Sequence, residues 1–129
     1  NWCIDLESIK QKITNKTRAI IAVDLYGNMP EYEKLAELCN KNGIYLIEDS
    51  AEALGSIQKS KRAGSFGIAS VFSFHRTKTI TTGEGGMLLL DDKELYERCK
   101  FLRDHGRAPG TYFNTEITFK YMPATTILK

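Results

Sequence analysis

The sequence predicts an α/β fold with a mostly parallel sheet flanked by helices. Short apolar runs alternate along the chain with segments of helical periodicity, and polar residues follow the runs. The apolar runs span residues 19–23, 44–47, 69–74 and 87–90. The run over residues 19–23 is continuous rather than alternating, which is typical of a parallel strand covered on both faces. Strand, helix and strand over residues 19–47 then form a right-handed βαβ unit, with the acidic pair Glu48 and Asp49 at its carboxyl edge.

Two helices are predicted in the first part of the chain. Asp5 can cap a helix that ends near Asn15, because a carboxylate accepts hydrogen bonds from the free amides of a first turn. A second helix should follow Pro30 and end at Gly43, which suits a left-handed C-cap. Its apolar residues, Tyr32, Leu35, Ala36 and Cys39, recur at helical spacing.

The rest of the chain is less regular. Residues 56–67 predict a polar loop or hairpin. Asp91 and Glu94 form a capping-box pattern that predicts a helix through Leu102, closed by Gly106. Residues 107–119 predict a long loop.

Composition excludes several classes of function. The 129 residues are 42% hydrophobic and 26% charged, with 18 basic and 16 acidic residues. This near-balance, without a large basic cluster, gives no reason to expect a nucleic-acid partner. The three cysteines lack a CxxC pair, so neither a disulfide framework nor a metal site is expected. The longest apolar run is far below the roughly 18 residues that span a bilayer, and no signal-peptide pattern is present, so no membrane partner and a cytoplasmic location are expected.

The stretch over residues 71–86, VFSFHRTKTITTGEGG, is the centre of the functional prediction. It places Lys78 after a buried strand and before a small-residue loop. Such a lysine is either a surface residue of a turn, or an amine whose pKa is lowered by partial burial and which acts as a nucleophile. The glycines Gly83, Gly85 and Gly86 permit a positive φ or a close backbone approach.

Two motifs in this sequence resemble one family. The first is Ser73-Phe74-His75 with Lys78 three residues later and TTGEGG beyond it. The second is LIEDSAEALGS over residues 46–56, and 29 residues separate Asp49 from Lys78. In order and separation they resemble the DegT/DnrJ/EryC1/StrS family of pyridoxal-phosphate sugar aminotransferases. Weaker similarity extends through residues 27–30, 104–106 and 119–123, so it covers nearly the whole chain.

This resemblance implies that residues 1–129 form a single domain, part of the large domain of a fold-type I pyridoxal-phosphate enzyme. It also implies an internal fragment, without an N-terminal part and a small C-terminal domain. We expect such a fragment to expose apolar surface where the missing parts dock.

The resemblance implies a role for each of five residues at a pyridoxal phosphate site. Lys78 is expected to attach the cofactor covalently and to act as general acid and base. Asp49 is expected to bond the pyridine nitrogen, and Ser73 the phosphate. Glu52 is expected near the cofactor ring, where glutamate resembles the perosamine-synthase branch. Lys120 stands where relatives often have an asparagine that reaches the phosphate of the neighbouring subunit's cofactor.

Each role competes with a simpler interpretation. Asp49 also fits a helix cap or loop aspartate, Ser73 a core serine bonded to backbone, and Glu52 a solvated side chain. His75 is expected to contact substrate or to be a polar strand-end residue, and Glu84 is also expected to bind substrate. Three basic residues, Arg103, His105 and Arg107, could face a sugar-nucleotide diphosphate or complement a helix dipole.

The implied function is transfer of an amino group from an amino acid, by resemblance glutamate, to a nucleotide-linked keto-deoxysugar. The parent protein is then expected to be a homodimer in amino-sugar biosynthesis for surface polysaccharide or related glycans. One alternative is a non-catalytic domain that retains the fold. Another is a pyridoxamine-phosphate sugar dehydratase, which Lys78 argues against because that branch has histidine at this position.

Overall fold

The computed structural model describes residues 2–103. Predictions that fall on residues 104–129 lie outside the described residues: the end of the last helix at Gly106, the loop over 107–119, and the roles of His105, Arg107 and Lys120. The chain divides into two compact units, Asn1–Asp91 and Asp92–Lys129.

The first unit contains a four-stranded mixed sheet, which confirms the α/β prediction. The strands are β1 (Ala19–Val23), β2 (Tyr45–Asp49), β3 (Ile57–Gln58), β4 (Lys61–Arg62), β5 (Ala69–Ser73) and β6 (Gly86–Leu90). The sheet has the order β1-β2-β5-β6, with β1, β2 and β5 parallel and β6 antiparallel to β5. Strands β3 and β4 form the predicted hairpin. Strand β2 includes Glu48 and Asp49, which the sequence had suggested follow it.

The first two helices begin and end largely as predicted. Helix α1 (Leu6–Lys12) is capped by Asp5, which accepts a hydrogen bond from the Ser8 N–H at 2.8 Å. It ends three residues before Asn15, because Ile13 is already extended (φ −66°, ψ 132°). Helix α2 (Tyr32–Asn42) ends at Gly43, whose φ of 62° is the predicted left-handed cap.

The second unit includes helix α3 (Lys93–Arg103). The predicted cap at Asp91 is wrong by one residue. Asp92 Oδ1 accepts the hydrogen bond from the Leu95 N–H at 2.6 Å, so this carboxylate satisfies the first turn.

Among the described residues, no helix is both long and apolar enough to cross a membrane.

Helices α1 and α2 pack on the same face of the sheet. The core includes Ile9, Ile20, Ala22, Tyr32, Leu35, Cys39, Ile44 and Leu46. The opposite face remains exposed within the described chain, with Ile21 at 46% and Val23 at 43% exposure. The prediction that β1 is covered on both faces is therefore wrong for these residues, because both helices lie on one side. The register places Asp49 on the open face, beside Val23 and Val71.

A buried carboxylate connects the carboxyl ends of the strands. Asp24, directly after β1, accepts hydrogen bonds from the Tyr32 hydroxyl at 2.7 Å and the Ser50 hydroxyl at 2.6 Å. The Asp24 N–H also donates to the Asp49 carbonyl at 2.9 Å, and the Ser50 N–H donates to the Val71 carbonyl at 3.0 Å. Asp24 thus joins β1 to helix α2 through Tyr32, and to the segment after β2 through Ser50. The Ser50 N–H extends the connection to β5.

A second buried carboxylate fixes the segment before β5. Glu48 accepts hydrogen bonds from the backbone N–H groups of Gly64, Phe66 and Gly67, at 2.7, 2.6 and 2.6 Å. The Phe66 ring stacks on Tyr32 with centroids 4.8 Å apart. The crossover from β2 to β5 is therefore bonded to the strand it leaves and packed against α2.

Removing the Tyr32 hydroxyl should destabilise the first unit. We expect Tyr32→Phe to lower the free energy of unfolding by about 1.5–3 kcal/mol, because Asp24 loses one charge-assisted partner in a buried position. Tyr45→Phe is the matched control, since Tyr45 is exposed and the same substitution there should change stability by less than about 0.5 kcal/mol. Urea unfolding followed by circular dichroism measures both. Equal losses in the two variants would contradict the assignment.

Asp24 should also make stability depend on pH. Burial raises the pKa of Asp24, although the hydrogen bonds from Ser50 and Tyr32 oppose this shift. The folded state therefore binds this proton more tightly than the unfolded state, where the pKa is about 3.9. The contribution of Asp24 to stability should be largest below that pH and should fall as pH rises through the folded-state pKa.

Asp24→Asn removes this titration while keeping the size of the side chain. The difference in unfolding free energy between wild type and variant should therefore move in favour of the variant as pH rises above about 4. Urea unfolding at a series of pH values measures this difference. A difference that moves in favour of the wild type over the same range would contradict the sign of the shift.

Candidate active site

Lys78 lies in the loop between β5 and β6. The loop is closed at its base by backbone hydrogen bonds: the Phe74 N–H donates to the Gly85 carbonyl at 2.8 Å, and the Thr82 N–H donates to the Phe74 carbonyl at 3.0 Å. Within the loop, the Lys78 N–H donates to the His75 carbonyl at 2.9 Å. Backbone hydrogen bonds at the base of the loop and within it therefore position Lys78.

The glycines in this loop are required by its geometry. Gly83 has a φ of 83°, which side-chain-bearing residues rarely adopt. A Cβ at Gly85 would collide with Thr82 Oγ1. Both conditions predicted from the GEGG segment, a positive φ and a close approach, are therefore present.

The amine of Lys78 is paired with the carboxylate of Glu52. Lys78 Nζ donates to Glu52 Oε1 at 3.3 Å, and the side chains are 23% and 32% exposed. The second carboxylate oxygen, Oε2, accepts a hydrogen bond from the Tyr26 N–H at 2.9 Å. The hydrogen bond from the Tyr26 amide lowers the pKa of Glu52 below its usual range, and the hydrogen bond from Lys78 adds a smaller shift in the same direction. Glu52 is therefore a hydrogen-bonded carboxylate that keeps partial contact with solvent.

The Lys78–Glu52 pair borders a cavity of about 430 Å³. Its lining residues are Tyr26, Glu52, Thr77, Lys78 and Thr79. This volume falls within the usual range for small-molecule sites. The structure places Lys78 in a turn, as a partly buried amine that is paired with Glu52 and borders this cavity.

Asp49 is the last residue of β2 and is half-buried on the open face of the sheet. Its Oδ1 accepts a hydrogen bond from the Ala51 N–H at 3.2 Å. The other oxygen, Oδ2, has no hydrogen-bond partner within residues 2–103. The loop-aspartate interpretation therefore accounts for one oxygen, and the second remains available to a ligand.

Ser73 ends β5 on the same face as Asp49. Asp49 pairs with Val71, so Ser73 lies one strand away and two residues further toward the carboxyl edge. Its hydroxyl oxygen accepts a weak hydrogen bond from the His75 N–H at 3.3 Å, which leaves the hydroxyl proton available. Neither Asp49 nor Ser73 lines the Lys78 cavity. A turn connects Asp49 with Glu52, which lines the cavity. The turn begins at Ser50, directly after Asp49, and is closed by a hydrogen bond from the Ala53 N–H to the Ser50 carbonyl.

The two predicted substrate-binding residues, His75 and Glu84, contact each other. His75 Nε2 lies 3.5 Å from Glu84 Oε1. On the other side of the ring, Nδ1 faces the Thr77 hydroxyl at 3.1 Å and the Thr77 N–H at 3.4 Å. This arrangement suits an imidazole that accepts at Nδ1 and donates from Nε2 to the carboxylate. The loop thus pairs its two predicted recognition groups with each other.

Sequence reasoning did not select Tyr26. This residue lies in a short 3₁₀ segment, Leu25–Gly27, and it contributes both the amide that bonds Glu52 and part of the cavity lining. Its position in the loop that follows β1 was the available signal, because ligands bind beyond the carboxyl ends of strands in α/β sheets.

Comparison with known proteins gives consistent results. The sequence model of the DegT/DnrJ/EryC1/StrS aminotransferase family matches residues 1–123. The chain is 46% identical over 121 residues to GDP-perosamine synthase of Escherichia coli O157:H7, covering 93% of this chain and 33% of that protein.

Solved structures agree with the sequence match. PseC of Helicobacter pylori, an aminotransferase involved in the biosynthesis of pseudoaminic acid, has a TM-score of 0.81 and 41% identity, covering 87% of this chain and 30% of that one. E. coli GDP-4-keto-6-deoxy-D-mannose-3-dehydratase with bound hydrated pyridoxal phosphate has a TM-score of 0.75 and 36% identity, covering 81% and 27%.

The chain spans about a third of the length of these relatives. The similarity includes both motifs around Asp49 and Lys78, and it extends over the strands and helices that position them. The chain therefore belongs to the DegT/DnrJ/EryC1/StrS aminotransferase family.

Proposed function

We propose that the whole protein transfers an amino group from an amino acid to a nucleotide-linked keto-deoxysugar, with pyridoxal phosphate as cofactor. The proposal rests chiefly on one observation: a partly buried lysine, in the loop that follows β5, is paired with Glu52 and borders a cavity of about 430 Å³. The aminotransferases of this family depend on pyridoxal phosphate. Relatives that act on nucleotide-linked sugars support the substrate class.

The residues present fit this cofactor chemically. Pyridoxal phosphate needs an amine for attachment, an acid for its ring nitrogen and donors for its phosphate. Lys78 supplies the amine, and Asp49 supplies a carboxylate with one free oxygen within the described residues. Ser73 supplies a hydroxyl whose proton remains available, on the same face of the sheet as Asp49.

Lys78 would have two tasks. When bound, pyridoxal phosphate supplies an electron-withdrawing ring that makes a neighbouring C–H bond acidic. Lys78 Nζ would hold the cofactor covalently at rest. After release it would take a proton from the reacting carbon and return it, which requires an approach to within about 3 Å.

Asp49 and Ser73 would orient the cofactor. A carboxylate beside the pyridine nitrogen keeps that nitrogen protonated through a charge-assisted hydrogen bond. The Ser73 hydroxyl would donate to the phosphate, and Lys120 would add a positive charge to a phosphate held by a partner subunit. Because Asp49 and Ser73 end adjacent parallel strands, the sheet sets their spacing.

Glu52 would position the amine. Its two oxygens bond different groups, Lys78 Nζ and the Tyr26 N–H, so the carboxylate has little freedom to rotate. A lysine has a long flexible stem, and a fixed acceptor limits the positions its amine samples. His75 and Glu84 would contact the substrate at the same loop.

The proposal includes glutamate as amino donor, a homodimer and a cytoplasmic location. The resemblance to the family supports the first two, and the absence of a membrane-spanning helix among the described residues is compatible with the third. Synthesis of surface polysaccharide or a related glycan is the biosynthetic context we propose.

Dehydration of the sugar is the second candidate, because a solved relative is a dehydratase. The lysine favours amination, since a general base that also attaches the cofactor is what transamination needs. The two reactions give different products: an amino sugar or a deoxysugar. A non-catalytic domain, the third possibility, would give neither.

Lys78 should be the attachment site. Borohydride reduction of the cofactor-loaded whole protein, followed by peptide mass spectrometry, should give a pyridoxyl group on the peptide containing Lys78. Lys78→Arg is the matched control, because arginine keeps a positive charge for Glu52 but has no amine that can be attached. A pyridoxyl group on Lys61 or Lys93 instead, or none at saturating cofactor, would show the assignment to be wrong.

Asp49→Asn should slow amination by about a hundredfold or more, because the pyridine nitrogen loses its counter-charge and the barrier rises by several kcal/mol. The rate is measured as amino-sugar formation from a nucleotide-linked keto sugar and glutamate. Asp91→Asn is the control, since Asp91 is exposed and lies outside the proposed site. Turnover of Asp49→Asn near the wild-type rate would remove Asp49 from the mechanism.

A further inference from the structure

Tyr26 has a backbone conformation that most residues avoid. Its φ of 51° and ψ of 36° lie in the left-handed region, where asparagine and glycine are tolerated best. Its side chain is 83% exposed, so the ring gains little from burial. Strain of this kind concentrates at ligand sites, where the surrounding structure maintains it. Within the described residues, packing gives no reason for the ring.

The loop around Tyr26 is held by groups other than the ring. The Tyr26 N–H donates to Glu52 Oε2 at 2.9 Å, and the Ser56 hydroxyl donates to the carbonyl of Gly27 at 3.0 Å. These bonds fix the backbone of residues 26 and 27. The point from which the side chain leaves the backbone is therefore set by these bonds.

Tyr26 lines the same cavity as Lys78. Glu52 bonds both the Tyr26 amide and the Lys78 amine, so one carboxylate holds the two residues at this cavity. Proton transfer brings the reacting carbon within about 3 Å of Nζ. In a nucleotide-linked substrate that carbon belongs to the sugar, and the nucleotide is the remote part.

We propose that Tyr26 binds the sugar ring of the substrate, an inference that rests on the proposed function. Its aromatic face offers apolar surface for the C–H side of a sugar, and its hydroxyl can form a hydrogen bond. Thr77 and Thr79 line the same cavity and have side chains that can form hydrogen bonds with sugar hydroxyls. Tyr26 then contributes to recognition of the sugar and not of the nucleotide.

The test uses Tyr26→Asn in the cofactor-loaded whole protein. The probes are two pairs, GDP-mannose with GDP and UDP-N-acetylglucosamine with UDP, and calorimetry identifies the pair that the wild type binds. Loss of the ring should weaken the sugar nucleotide about tenfold and leave the free nucleotide unchanged. Tyr26→Phe keeps the aromatic face, so its loss should be smaller.

Stability separates this role from a structural one. Asparagine suits the left-handed conformation better than tyrosine does. The urea midpoint of Tyr26→Asn should therefore stay the same or rise while sugar affinity falls. A residue retained for structure would show the opposite: a lower midpoint and no selective loss of sugar affinity.

Tyr45→Thr is the matched control for loss of an exposed ring. Tyr45 begins β2, at the edge of the sheet opposite Asp49, so neither probe should be affected. An equal loss for sugar nucleotide and nucleotide, no loss, or loss of cofactor attachment in Tyr26→Asn would overturn the inference. Failure of the proposed function is distinguishable: the wild type itself would then lack the pyridoxyl group on Lys78 or bind neither pair.

Discussion

The buried carboxylate of Asp24 is the interaction on which the candidate site depends most. It accepts hydrogen bonds from Tyr32 and Ser50, which belong to different segments of the chain. The backbone of Ser50 is in turn bonded to Val71. Because Asp49 directly precedes Ser50, this network positions the backbone of Asp49. The side chain of Asp49 is the carboxylate that we propose to bind the cofactor. A charged group is costly to bury, and here each oxygen has a hydroxyl partner that offsets the cost.

Glu52 then connects that network to the loop between β5 and β6, which contains Lys78. The turn from Asp49 to Glu52 is short, so the position of one carboxylate constrains the other. Glu52 bonds Lys78, 26 residues further along the chain, and Tyr26, 26 residues before it. Three loops that follow three parallel strands therefore meet at one carboxylate. This convergence is a consequence of parallel pairing, which places successive carboxyl ends at one edge.

The two faces of the sheet have different roles. Helices α1 and α2 cover one face, where Glu48 bonds the crossover segment. The other face contains Asp49 and Ser73 among exposed apolar side chains such as Ile21. Alternation along a strand explains the separation: adjacent residues Glu48 and Asp49 point to opposite faces, so Glu48 bonds the crossover segment and Asp49 lies on the open face.

The sequence by itself determined the strands, the first two helices, the Gly43 cap and the motif around Lys78, because these follow from local periodicity, backbone conformation and resemblance. Tertiary structure alone decided the remainder. The contact between Lys78 and Glu52 depends on which strands are neighbours, and the exposure of one sheet face depends on which side the helices pack. The left-handed backbone of Tyr26 has no local signature either, since bonds from distant segments impose it. These features are set by contacts between residues far apart in the chain.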